Sequence, residues 1–489
     1  MSKPKSSFKA FDYLYICILA LAVSFNSSTT LFWAREPDID SSVFLYIAQR
    51  MFYGEMPYRD SFDHKGPLLY LYDFAAEMVS PVYGPWILDF VCMLACLIVF
   101  YLTFRLILKN RLSSLILVTA AAAFIPGYYA NGNKVETVAM PFIALAVYIF
   151  CKYFINNAIK NYELILFGVS FAAVLMLRAN MTAPWLVMCI AVIIHEIMQK
   201  KASAILRYFL MFIAGAAIVI VPLFTWLIAG HAFNDFIKQY IVFNIKYSKV
   251  VGNDFQDFPV HEVFFAFLLK PQIISALIFS IYLCIRKKNL FAFSLPFMII
   301  LSTLTSSISG RNYAHYVMAL IPLSIPAIAL GIEELNSHLK TKNWKQYIVP
   351  ALVFVLFGAV PLFLHVYENG FDTKSDMDID VLQTLEYIEQ YTDENDPVAI
   401  YGNRDSILYL SNRKSASKYS YQCPIANFDK SILNEYLLEV EAEKPKLIII
   451  ASSTAWDLEI TDIAGIISKY DYEKLESPKG TIVVFRRLS

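Results

Sequence analysis

The sequence predicts a polytopic α-helical membrane protein that ends in a soluble α/β domain. Composition, recurring apolar runs and a change of character near residue 370 each point to it. Of 489 residues, 57% are hydrophobic and 17% are charged, whereas a soluble chain is nearer half apolar and about a quarter charged. Lys plus Arg and Asp plus Glu balance at 41 each. That leaves no basic excess of the kind a nucleic-acid partner requires.

The apolar runs come first. Segments near 11–31, 86–108, 112–130, 135–154, 161–177, 183–198, 206–229, 263–285, 290–309, 313–333 and 347–366 each approach the roughly 20 residues that cross a bilayer. This predicts about eleven spans. The N-terminus has a basic start and an apolar core but no convincing small-residue cleavage site, so it reads as the first span rather than a signal peptide. With Lys3, Lys5 and Lys9 in the cytoplasm, the cytoplasmic connections are "RLILKNR", "CKYFINNAIK", "HEIMQKKASAILR", "RKKN" and "HLKTKNWK". All are basic, as the positive-inside rule demands. The alternate connections are polar, aromatic and mixed in charge. An odd number of spans puts the C-terminus outside.

The domains therefore divide at 370/371. Residues 1–370 form the transmembrane part and 371–489 an extracytoplasmic α/β domain. In the latter, "VLQTLEYIEQYTDEND" and "SILNEYLLEVEAEKP" read as helices, and "PVAIYG", "KLIIIASS" and "GTIVVFRR" as strands, an alternation typical of α/β folds. It carries no GxGxxG, GxxxxGK[ST] or GxSxG motif. The seven cysteines show no CxxC or Cys/His ligand spacing, so neither structural zinc nor a disulfide framework is indicated.

The richest segment is the first external loop, residues 34–85, containing "EPDIDSSVFLYIAQRMFYGEMPYRDSFDHKGPLLYLYDF". "DSSVFLYIAQRMFY" opens with an N-cap signature at Asp40, followed by apolar residues Val43, Phe44, Ile47, Ala48 and Met51 on one face. "KGPLLYLYDFAAEM" starts a second helix with Pro67 in its first turn. Both are too short or too polar to span and are expected to lie in the membrane interface.

This loop resembles the first external loop of GT-C glycosyltransferases of the protein-mannosyltransferase and aminoarabinose-transferase type. The residues carrying the resemblance are the early aspartate, "IA", "M", "G", "PY" and "FDHKGPLLY". "GNKVETVAMPF", "LRANMTAPW" and "GRNYAHYVMALIP" extend it. The resemblance implies a GT-C fold and transfer of a sugar from a polyprenyl-phosphate donor to a glycan, lipid or protein acceptor, with inversion, at the outer face of the cell membrane. By resemblance, Asp40 is the catalytic base, with Asp38 second, and Lys65 contacts the donor phosphate. Asp40 as a plain cap and Lys65 snorkelling to headgroups are the alternatives. Some relatives carry a metal-binding acid where this chain has His64; no cofactor is certain, and a divalent metal held by His64 is left open beside a surface histidine. Asp60 and Asp63 read as loop solvation or turn caps rather than a second catalytic pair.

Glu136, Arg178 and Asn180 lie at external span ends, where an ionisable group faces a partner or a cavity. They form either a Glu136–Arg178 ion pair or part of a substrate pocket. Arg311 and His315, four apart, would share a helix face. They could bind a carrier phosphate or anchor the span. Tyr58, with Tyr46, Tyr53, Tyr70 and Tyr72, would suit sugar stacking. A polysaccharide polymerase, or a flippase or transporter of lipid-linked sugars, is the competing reading. Neither sugar nor acceptor can be named from the sequence.

Overall fold

The structure, a computed structural model, describes residues 10–30, 36–247, 258–338, 343–369, 377–451 and 460–488. All the predicted spans fall on apolar helices. Eight helices among the described residues are long and apolar enough to cross a membrane: Gly84–Leu108, Arg111–Tyr128, Val135–Asn156, Ala179–Met198, Ser203–Ala229, Leu290–Ser307, Ala314–His338 and Trp344–Tyr367. The protein is a multi-pass membrane protein. The segment expected at 263–285 is not one straight span. It is two helices, Val260–Leu268 and Pro271–Lys287, bent by 80°. Pro271 cannot continue a helix from Lys270, whose backbone is extended (ψ 135°). Ala10–Ser24 and Asn161–Leu175 have 15 residues each, about 22 Å of helix, short of a bilayer core of about 30 Å.

The chain forms two compact units. One comprises Met1–Thr30, Trp86–Pro222 and Gln256–Phe371; the other Leu31–Pro85, Leu223–Phe255 and Asp372–Ser489. A boundary near residue 371 recurs here, but the first loop groups with the C-terminal α/β domain.

In the first unit, close helix approach depends on small residues. A Cβ on Gly168 would lie 2.1 Å from the Phe212 carbonyl oxygen, and one on Gly215 would lie 2.0 Å from that of Ile165. Two helices thus touch backbone to backbone, as small residues permit in membranes. Asp12, at the start of the first helix, is buried. It accepts two hydrogen bonds from Arg111 Nε (2.7 and 2.9 Å) and one from the Tyr101 hydroxyl (2.7 Å).

In the second unit, β1 (Val398–Gly402) and β2 (Leu447–Ala451) pair in parallel, with Val398 opposite Leu447. The crossover carries the helix Lys430–Glu443, which a parallel connection requires. β4 (Val483–Arg487) runs antiparallel to both β2 and β3 (Tyr472–Lys474), giving the order β1-β2-β4-β3. Every residue of β1 and β2 is buried, which explains their continuous apolar sequence. Asp380, on the helix Ile379–Tyr391, clamps the turn before β4. Its carboxylate accepts from the backbone N–H of Lys479, Thr481 and Ile482 and from the Thr481 hydroxyl. Burial alone would raise this carboxyl, but these hydrogen bonds outweigh it and hold it at about 2.

Asp380→Ala should therefore destabilise the domain by about 2–3 kcal/mol, because three backbone N–H groups, one on the buried Ile482, and the Thr481 hydroxyl lose their acceptor. The folded-state value lies below the unfolded one near 4. The contribution is thus fully present above pH ~4 and lost as pH falls toward 2. Hydrogen exchange at Thr481 and Ile482 in the full-length protein checks both effects.

Candidate functional site

The loop 36–85 begins at Glu36, which accepts a bidentate pair from Arg404 (Nε and Nη2, both 2.7 Å) and a further hydrogen bond from Ser406. The helix that follows runs Ile39–Met51, so its N-cap is Asp38 and not Asp40. Asp40 occupies the first turn and is exposed. A carboxylate there interacts favourably with the helix N-terminus. Residues Ser41 to Ala48 are all buried, although a one-sided apolar face is predicted. The face expected to be polar is covered by the C-terminal domain. Tyr46 Oη accepts from the Ser415 N–H at 2.8 Å, and Gln49 Nε2 donates to the Tyr409 carbonyl at 3.1 Å.

The second loop helix, Pro67–Val79, has Pro67 at its first position, as predicted. Its Glu77 accepts from the Tyr409 hydroxyl at 2.6 Å. Burial pushes the Glu77 carboxyl up to about 7, against that hydrogen bond.

Between the two helices lies a tight turn. Asp60 caps it as predicted, its Oδ2 accepting from the Met56 N–H at 2.7 Å. Tyr58 adopts a left-handed backbone, φ 70°, which costs energy for a bulky residue and is held by tertiary contacts. Gln239 Nε2 donates to the Tyr58 carbonyl at 2.6 Å. The Tyr58 ring is 1% exposed and edge-on to Tyr70 and Phe236. Instead of offering a face to a sugar, it sends its hydroxyl to the Lys65 carbonyl at 2.7 Å. Tyr46 and Tyr70 are likewise buried, whereas Tyr53 is exposed.

Asp63 is the residue that sequence reasoning undervalued. It is 1% exposed. Its Oδ2 accepts from the Tyr70 hydroxyl at 2.9 Å, and its Oδ1 from the Tyr421 hydroxyl at 3.0 Å and the His64 N–H at 2.7 Å. Burial, then the Asp63 charge, raises both tyrosine hydroxyls well above their ordinary range, so they stay protonated as donors. Tyr421 also feels the charges of Asp405 and Asp40. Asp405 is fully buried, and burial, assisted by the Asp63 charge, pushes its carboxyl up to about 7.

Asp63, His64 and Lys65 form a chain of contacts. Lys65 Nζ lies 3.0 Å from His64 Nε2. An ammonium can only donate, so Nε2 accepts and the ring proton resides on Nδ1. Nδ1 is 3.4 Å from Asp63 Oδ1. The imidazole packs against Phe243 and Tyr247, each at 5.5 Å, and the His64 carbonyl accepts from Asn244 Nδ2 at 2.7 Å. The Lys65 ammonium lies 5.7 Å from the centre of the Phe44 ring. Phe44 is one helical turn after Asp40, so the two share a face. Asp40, Lys65, Asp63 and Tyr421 therefore belong to one neighbourhood. Among the described residues no three His, Cys, Asp or Glu side chains converge as metal ligands. The Nε2 lone pair of His64 faces an ammonium, and this donor set does not fit a divalent cation.

The remaining candidates lie in the first unit. Glu136, in the first turn of Val135–Asn156, is 2% exposed and ion-paired with Arg178, Nη1 to Oε1 at 2.5 Å. Arg178 also stacks over Tyr316 at 4.1 Å, and His315 Nε2 is 3.9 Å from Glu136 Oε2. Asn180 donates to the Thr305 carbonyl at 3.3 Å. Arg311 and His315 are buried, but the shared helix face does not exist. Arg311 precedes the helical turn Ala314–Leu320, which is 3-10 rather than α. Sequence reading also passed over Asp89. It is fully buried, and its Oδ2 accepts from the Tyr129 hydroxyl (2.9 Å) and the Asn133 N–H (2.6 Å). Residues Ala130 to Asn133 all have positive φ. A Cβ on Gly132 would lie 2.7 Å from Asp89 Oδ2, which is why glycine stands in "NGNK".

No curated protein sequence matches this chain. Among solved structures it is similar to ArnT from Cupriavidus metallidurans bound to undecaprenyl phosphate, with TM-score 0.66, 12% identity and 98% of each chain covered. The apo state of that protein gives TM-score 0.62 and 11% identity over 97% of this chain and 96% of that one. The apo Archaeoglobus fulgidus oligosaccharyltransferase gives TM-score 0.59 and 12% identity over 91% of this chain and 70% of that one. The fold is thus that of the GT-C membrane glycosyltransferases. Residues 2–371 match the family described as "Putative competence-induced protein Ccs4 N-terminal domain", and the chain belongs to that family.

Proposed function

We propose that this chain is a glycosyltransferase that moves a sugar from a polyprenyl-phosphate carrier to a glycan, lipid or protein acceptor, with inversion, at the extracytoplasmic membrane surface. The observation that carries the reading is the Lys65 ammonium 5.7 Å from the Phe44 ring, one helical turn after the exposed Asp40. Such a transfer needs a base for the attacking hydroxyl and a cation where the leaving phosphate gains charge. Asp40 supplies the first and Lys65 the second. Asp63 and His64 hold Lys65 in place, and the Tyr58 and Asn244 contacts fix the backbone on either side. The early aspartate and lysine in an external loop favour this reading over a flippase or polymerase, as do ionisable groups gathered at helix ends rather than mid-span.

The protein in lipid vesicles, given a panel of polyprenyl-phosphate sugars, should release polyprenyl phosphate from one of them; release from none would overturn the reading. Asp40→Asn keeps the size of the side chain and should lower turnover by roughly 10²-fold or more while leaving donor binding nearly intact. Asp38→Asn, at the N-cap, should be milder. A normal rate in Asp40→Asn with a dead Asp38→Asn would move the base to Asp38.

Lys65→Ala should weaken donor binding by about 1.5–3 kcal/mol, the worth of a charge-assisted contact. Donor titration of the folded variant measures this, and unchanged affinity would leave Lys65 a headgroup anchor.

Basic connections at one set of span ends support a cytoplasmic N-terminus and an external C-terminal domain. A reporter active only in the cytoplasm, fused after Ser489, should be silent.

A further inference from the structure

A cavity of about 650 Å³ opens among the helices Val135–Asn156, Asn161–Leu175, Ala183–Met198 and Ser203–Ala229, lined by Phe150, Phe167, Cys189, Ile193, Leu206 and Phe212 among others. Its wall is almost wholly apolar for a specific reason. The two tyrosines that line it, Tyr153 and Tyr208, turn their hydroxyls onto Glu196 Oε1 behind the wall, at 2.6 and 3.1 Å. Glu196 is 4% exposed, so the cavity meets the tyrosine rings and not the carboxylate. Leu206 and Phe209 line it while 65% and 58% exposed. Its mouth therefore opens on the surface that bilayer hydrocarbon covers.

The mouth lies at the helix ends joined by basic connections. Ile159, Ala202, Leu206 and Tyr208 line the cavity, and the cations Lys160, Lys201 and Arg207 adjoin them in sequence, with Lys200 next. Arg207 bridges the rim, donating from Nη2 to the Ile159 carbonyl at 3.2 Å. All four are exposed, and among the described residues none of them is ion-paired with a carboxylate. The nearby Glu163 is taken by Lys152. We infer that this cavity holds one acyl chain of an anionic phospholipid whose headgroup rests on Lys160, Lys200, Lys201 and Arg207. The apolar wall suits hydrocarbon, the volume is that of a small-molecule site, and basic rims between membrane helices attract anionic headgroups. The site uses none of the residues assigned to sugar transfer.

Full-length protein, delipidated in detergent, is titrated with palmitoyl-oleoyl phosphatidylglycerol or the matching phosphatidylcholine and read by native mass spectrometry. One phosphatidylglycerol should bind about tenfold more tightly than phosphatidylcholine. Replacing Lys200, Lys201 and Arg207 together by glutamine should bring the two lipids to parity. Cys189→Trp, which occupies part of the cavity, should weaken both. A readout without mutation guards against misfolding of that variant: phosphatidylglycerol should slow N-ethylmaleimide modification of Cys189, followed by peptide mass spectrometry. Equal affinity for the two lipids in the native protein would overturn the inference. So would full phosphatidylglycerol binding by folded Cys189→Trp, or unslowed modification of Cys189.

Discussion

A carboxylate can be buried only if its lone pairs are filled, and in the second unit that requirement falls on Asp63. Its oxygens take the Tyr70 and Tyr421 hydroxyls and the His64 N–H, while its own N–H donates to Gln239 Oε1 at 3.2 Å. These partners come from the loop itself, the second loop helix, the segment after residue 223 and the C-terminal domain. One group thereby ties four parts of the chain to a single geometry. The imidazole of His64 and the ammonium of Lys65 inherit their positions from it.

The C-terminal domain is for the same reason a structural part of the loop rather than an appendage. It supplies Arg404 to Glu36, Tyr409 to Glu77 and to the Pro81 carbonyl, Ser415 to Tyr46 and Tyr421 to Asp63. It also adds an acid, Asp405, beside Asp63. Two close carboxyl groups in a dry setting do not both ionise readily. Burial first, and then the Asp63 charge, push the Asp405 carboxyl up to about 7. Asp40, by contrast, is exposed.

Much of the fold was legible because it rests on local pattern. Apolar length marks the membrane helices, Pro67 marks a helix start, and "PVAIYG" and "KLIIIA" are strands in any context. What was not legible depends on distant partners. Asp63 read as a turn cap because Tyr421, 358 positions away, carries no local signal. The helix Ile39–Met51 read as one-sided because the residues that cover its other face lie beyond position 400. Arg311 and His315 have helical spacing, but residues 311–313 are not helical and the turn that begins at Ala314 is 3-10. Tyr58 read as a stacking surface because nothing local announces its left-handed backbone or its contact with Gln239.

The histidine before the lysine can be understood in the same terms. An ammonium has three N–H donors, and only one is directed at His64 Nε2. The imidazole therefore orients the lysine while engaging only one of its three donors. A ring protonated on both nitrogens would turn a second N–H toward that ammonium and push it away, so the contact requires neutral imidazole. Asp63 beside Nδ1 favours the one tautomer that leaves Nε2 as an acceptor. At this position the chain therefore holds a positive charge on a side chain that histidine orients, against the Phe44 ring one turn after the exposed Asp40.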